Sequence, residues 1–175
     1  MLDNGYFTEI KNELTAAGFK SWDEEQKYML RLEDNKIIPN EKIKVVKETE
    51  WNENFTQVFL EAEEPWEIQV LKKSIENPKA WLFVAYIEEK PIGVLYGHLS
   101  DLSDDICRVD YLLISKKHRR IGAGKTLFHN YVKWIKEQKI KNAYIWPDGD
   151  IPEKIYFAGG FRVVEHRHAG RAVLV

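Results

Sequence analysis

The stretch VDYLLISKKHRRIGAGKTLF (residues 109–128) changes character twice within twenty residues. Its beginning belongs to an apolar run, ICRVDYLLIS (106–115), whose near-continuous hydrophobicity reads as a strand covered on both faces. Its end opens a segment from Ile121 to about Gln138 in which Leu127, Phe128, Tyr131, Trp134 and Ile135 recur at helical spacing. Between them lie basic residues and two glycines, where a strand turns into a helix N-terminus. Such a terminus exposes unpaired amides and the positive end of the helix dipole. Glycines remove the Cβ atoms that would keep a phosphate off the backbone. Lys116, Lys117, Arg119, Arg120 and Lys125 add charge. The competing reading is a glycine-softened helix start with a solvated basic face.

Two familiar phosphate motifs fail here. A nucleotide-triphosphate P-loop needs a glycine five residues before Gly124, and that position is Arg119. A dinucleotide fingerprint needs a third glycine at Leu127. What remains is Arg-x-x-Gly-x-Gly over residues 119–124, after a strand and before a helix.

Working outward, residues 5–17 read as an amphipathic helix ended by Gly18, and 25–33 alternates as a half-buried strand does. The polar DNKIIPNE (34–41) is the best boundary in the chain, and KIKVVKE (42–48) a first strand beyond it. Helices are expected at 50–62 and 66–76, interrupted at Pro65. Strands 80–88 and 91–100 are close enough for a hairpin, 142–146 is a further strand, and 151–158 a short helix. FRVVEHR (161–167) and RAVLV (171–175) read as two closing strands. The whole is a mixed α/β sheet. Residues 13–33 and 153–175 both read as helix, Gly-Phe, strand, turn, strand, either the remnant of a duplicated domain or two helix–hairpin units that look alike by chance.

The 175 residues suit one domain with a sizeable core, 44% hydrophobic and 31% charged. A net charge of −2 with no long basic run outside 116–120 argues against duplex nucleic acid as a partner. One cysteine, Cys107, excludes an intrachain disulfide and fits a reducing cytoplasm. No secretory leader and no membrane-length apolar run are apparent. The histidines show no metal-ligand spacing with Cys107, so no metal is expected; His98 reads as a hydrogen-bonded core residue, with a place facing the acceptor as the competing reading.

VDYLLISKKHRRIGAGKTLF resembles the acetyl-CoA-binding segment of the GNAT acetyltransferase superfamily. KIYFAGGFRVV resembles that family's later Tyr-x-x-x-Gly-Phe element, and EEKPIGVLYGHL its hairpin into the third strand. The resemblance covers about residues 42–175 in the expected order and leaves residues 1–40 as an N-terminal extension to a 41–175 domain. Three roles are open to that extension: covering the active site, mediating a homodimer, or packing on the sheet.

The resemblance implies a mostly antiparallel sheet with helices on both faces. It also implies a bulged fourth strand that splays from the fifth to admit acetyl-CoA. Backbone contacts to that cofactor map onto Leu112, Leu113 and Ile114, and pyrophosphate contacts onto Arg119, Arg120, Ile121, Gly122, Ala123, Gly124 and Lys125. The implied activity is acetyl transfer to a primary amine in a direct ternary complex, with an amide N–H stabilising the developing oxyanion. Tyr156 aligns with the tyrosine that returns a proton to the leaving thiolate. A phenol is the weaker acid by about 2 kcal/mol, so position must help. Asp110 is the candidate base, acting through water or by gripping an ammonium, with a structural salt bridge to Arg108 as the competing role. Lys116 replaces a frequent proline, and Gly149 replaces an asparagine that makes a cofactor contact. For the acceptor, which is a small molecule or a protein amine, Glu64 and Trp66 are the substrate-binding candidates. They sit among Glu61, Glu63, Glu67, Asp101, Asp104 and Asp105, an acidic rim suited to a small cationic amine. The alternative class is a catalytically silent acyl-CoA-binding sensor or interaction module.

Overall fold

The computed structural model describes residues 4–61, 65–147 and 150–174. In chain order the elements are α1 (Asn4–Ala16), β1 (Phe19–Arg31), β2 (Lys44–Glu48), α2 (Glu53–Leu60), α3 (Pro65–Ile75), β3 (Ala80–Ile87) and β4 (Lys90–Leu99). There follow β5 (Ile106–Ile114), α4 (Ala123–Glu137), β6 (Asn142–Ile145), α5 (Asp150–Ala158) and β7 (Phe161–Leu174), with a 3-10 turn at Lys116–His118. The strands form one sheet ordered β2-β3-β4-β5-β6-β1-β7. Every neighbouring pair is antiparallel except β5–β6.

Strand alternation sorts the apolar residues onto two faces. Trp81, Phe83 and Ala85 of β3, with Ile92 and Leu95 of β4, pack in one cluster with Leu127, Phe128, Tyr131, Val132 and Ile135 of α4. Leu82, Val84, Val94 and Tyr96 pack in the other with Phe55, Val58 and Phe59 of α2 and Ile68 and Leu71 of α3. Helices therefore cover both faces, as the unbroken apolar runs of β3 and β4 require. Pro65 does not merely interrupt a helical run. It is the first residue of α3, where its missing N–H costs nothing.

The chain ends differ from the sequence reading. Residues 161–174 form one strand rather than two, because their partner is β1 and not a hairpin return. β1 likewise begins at Phe19, earlier than its alternation suggests, and pairs with β7 from Phe19↔Leu174 to Arg31↔Phe161. At Met29 and Leu30 it also joins β6, so a strand from the first forty residues lies inside the sheet. The two echoing segments are thus helix–glycine–strand units, each with a left-handed glycine (Gly18, φ 86°; Gly160, φ 92°), paired head to tail.

Two irregularities shape the middle of the sheet. β6 accompanies β5 only from Ile106 to Arg108, leaving β5 without a neighbour on that side as far as Ile114. On its other side, β5 pairs Tyr111 with Tyr96 but Val109 with Gly97, so Asp110 is an extra, bulged residue. The bulge resets the alternation, and Asp110 and Tyr111 open onto one cavity although they are consecutive. Gly97 permits it: a Cβ there would lie 2.0 Å from the Arg108 carbonyl oxygen and 2.3 Å from the Trp81 ring. Gly97→Ala should therefore lower stability by about 2 kcal/mol or more, read as a lower urea midpoint with an unchanged slope.

Candidate active site

The glycine loop is built as a strand-to-helix turn. After the 3-10 turn the backbone is left-handed at Arg120 (φ 64°) and again at Gly122 (φ 89°), which caps α4. The first helical bond runs from Thr126 N–H to the Gly122 carbonyl, so the amides of Ala123, Gly124 and Lys125 have no intrahelical acceptor. Ala123 and Gly124 are buried, while the side chains of Arg119, Arg120 and Lys125 stand in solvent around them.

Two residues from elsewhere fix this loop. Asn40 donates from Nδ2 to the Ile121 carbonyl (2.9 Å) and from its backbone N–H to Thr126 Oγ1 (2.9 Å). Glu61, at the end of α2, accepts from Ser115 Oγ (2.9 Å) and from the Lys116 amide (2.5 Å). The Lys116 N–H, with help from Ser115 and the Lys116 and Arg119 charges, holds the Glu61 carboxyl below the usual carboxylate range.

Upstream of the loop, Leu112, Leu113 and Ile114 occupy the part of β5 that has lost β6. Tyr156 lies on α5, buried with its ring 5.0 Å from that of Phe128, on the α4 face. On the opposite face, α3, β4 and β5 enclose a cavity of about 480 Å³, lined among others by Trp66, His98, Arg108, Asp110, Tyr111 and Trp146. Inside it, Asp110 Oδ1 accepts from Arg108 Nε (2.6 Å) and Nη2 (2.5 Å), and Oδ2 lies 2.7 Å from His98 Nδ1. A carboxylate only accepts, so Nδ1 carries a proton and Nε2 is the nitrogen left for the cavity. The Arg108 guanidinium lies over the Trp146 ring at 4.8 Å.

The structure thus brings Asp110 and Trp66 to one cavity, and the loop residues to one strand-to-helix turn. Glu64 lies outside the described residues, as do Glu63 and Gly149. Three acidic residues of the expected rim are engaged elsewhere, Glu61 in the loop, Asp104 with Lys79 and Asp105 with Lys141, while Asp101 is exposed. His98, Arg108 and Trp146 are the residues that sequence reading undervalued. Only the register of β4 against β5, with His98 opposite Arg108, signals their convergence. Cys107 is buried 3.1 Å from Tyr131 Oη, and burial pushes its thiol up to about 11, so it is no nucleophile at neutral pH. Among the described residues no cluster could hold a metal ion, and no helix is long and apolar enough to cross a membrane.

Because the Glu61 carboxyl titrates lower in the folded chain than in the unfolded one, its contribution to stability is complete above the ordinary carboxylate range. It disappears as pH falls through the lowered value. Glu61→Gln should consequently melt below wild type at pH 7, and the two melting curves should converge in acid.

The model of the acetyltransferase (GNAT) family matches residues 41–152, more than half of the chain. Among curated proteins no sequence matches. Solved structures share the fold at low identity. A GNAT-family protein from Novosphingobium aromaticivorans is 13% identical with a TM-score of 0.63, covering 89% of this chain and 66% of its own. An aminoglycoside acetyltransferase from an uncultured soil metagenomic sample is 17% identical with a TM-score of 0.54, covering 66% and 84%. A Bacillus subtilis acetyltransferase in complex with CoA is 15% identical with a TM-score of 0.57, covering 71% and 79%. The matched residues run from β2 into α5 and include the unpaired edge of β5, the glycine loop and the strands of the cavity. The chain belongs to the GNAT family of acetyltransferases.

Proposed function

We propose that this protein is an N-acetyltransferase that moves an acetyl group from acetyl-CoA to a primary amine in a direct ternary complex. The observation that carries this reading is the continuity of three features: the edge at Leu112–Ile114 that β6 leaves without a partner strand, the amide-rich start of α4 beyond it, and the His98–Asp110 cavity beside it. The donor fits what is present. Leu112, Leu113 and Ile114 would hold its pantetheine arm through their backbone, and Arg119 to Lys125 its pyrophosphate, mostly through amides. Bound there, acetyl-CoA supplies an activated acetyl thioester.

The remaining work is proton handling. An ammonium that becomes an amide sheds two protons; one reaches the departing sulfur and the other goes to solvent. His98 Nε2 takes the proton on the cavity side. Asp110, held by Arg108, fixes the orientation of the ring, so the aspartate acts through the histidine rather than alone. Tyr156 Oη, on the α5 side, returns a proton to sulfur. The full burial of Cys107 against Tyr131 speaks against an acyl-cysteine route and for direct transfer.

Melting with excess acetyl-CoA, coenzyme A, ATP and NAD is the first test. The coenzyme A species should stabilise by about 2.7 kcal/mol at a hundredfold excess over Kd, and ATP and NAD should not. Tyr156→Phe should cut kcat about 100-fold with coenzyme A affinity within twofold, and His98→Gln should cut kcat/KM about as much. Binding of acetyl-CoA without turnover of any amine would instead favour the silent sensor. Asn40→Ala, which frees the Ile121 carbonyl, should weaken coenzyme A binding about fivefold and leave kcat at saturation within twofold.

A further inference from the structure

We infer that the acceptor is a primary amine joined by a short aliphatic link to a planar aromatic ring, with no second cationic centre. This rests on the acetyl-transfer reading and concerns the acceptor half of the same site. A cavity of about 480 Å³ holds a small molecule. Its walls are aromatic on several sides: Trp66 from α3, Tyr96 from β4, Tyr111 from β5, and Trp146 just past β6. Trp66 is 66% exposed, so its ring contributes little to the core and is available as a flat surface at the cavity.

Charge in the cavity points the same way. The one carboxylate among its described lining residues, Asp110, is already neutralised by Arg108. A polycation would meet the Arg108 guanidinium with no unspent anion among the described lining residues to offset it, while one amine beside His98 needs none once neutral. Arg108 spends Nε and Nη2 on Asp110, which leaves Nη1 as the atom that would donate to a carboxylate next to the amine.

In the transfer, the nitrogen–carbonyl bond forms as the thioester carbon–sulfur bond breaks. Of the two protons lost by the ammonium, one ends on sulfur and one in solvent.

The test is coenzyme A release by the full chain, run in parallel with a direct measurement of acetyl-CoA binding. The acceptors are tryptamine, tyramine, tryptophan, tyrosine, n-hexylamine, spermidine and kanamycin. We expect the best aromatic acceptor to exceed hexylamine, spermidine and kanamycin at least tenfold in kcat/KM. Preference for tryptamine or for tryptophan then tells whether Arg108 takes a carboxylate, and both results support the aromatic ring. In Trp66→Ala the KM for that acceptor should rise about fivefold with kcat within twofold, and the KM for hexylamine should rise by less. Spermidine, kanamycin or hexylamine equal to or better than the aromatic amines overturns the inference and leaves acetyl transfer standing. No release with any amine, despite bound acetyl-CoA, overturns both.

Discussion

Beyond Arg108, β5 carries backbone donors and acceptors on its β6 side that no strand pairs, because the parallel ladder extends only from Ile106 to Arg108. Unpaired peptide groups are tolerated only where solvent or a ligand can reach them. Residues 111–114 are accordingly only half-buried, whereas the equivalent stretch of β4 is buried throughout. The neighbouring features follow from that parting. β6 ends at Ile145, and the chain leaves for α5 instead of continuing the ladder. The bulge at Asp110 adds local twist at the point where the strands diverge.

The parted strands also divide labour between the two faces. The α4–α5 face carries the helix N-terminus and the buried Tyr156, while the α2–α3 face carries the cavity with His98, Arg108 and Asp110. Glu61 ties the faces together, since it closes α2 and also holds the first amide of the 3-10 turn leading to α4. Trp81, stacked on Tyr131 at 4.8 Å, gives β3 a rigid contact with α4, and its ring also bars any side chain at Gly97.

The first forty residues add to the sheet and to the loop. β1 lies between β6 and β7, and the Gly160 carbonyl accepts from the amides of Leu32 and Glu33 as the chain leaves it. The segment then runs along α4, where Asn35 meets His129, Lys136 meets Asp34 and Asn40 grips the loop. A stretch outside the family match thus supports the most family-like turn in the molecule.

Much of the fold was legible because it is local. The strands and helices from residue 42 to 158 follow hydrophobic period, glycine and proline chemistry, all carried by neighbours in sequence. The glycine loop was legible for the same reason: phosphate binding at a helix start needs only contiguous residues. The cavity was not, because His98 and Asp110 belong to different strands, and their 2.7 Å contact depends on a one-residue bulge that no local pattern encodes. Nor was the fate of the acidic residues, since Glu61, Asp104 and Asp105 look like a rim until folding gives each a partner. The closing strands misled for a related reason: a strand's length is set by what pairs with it, and β7's partner lies near the other end of the chain. Sequence alone determined the elements between residues 42 and 158 and the glycine turn before α4, because these are written in adjacent residues. Tertiary structure alone decided where β5 parts from β6, which carboxylates are spent and which histidine faces the cavity, because those depend on register between distant segments.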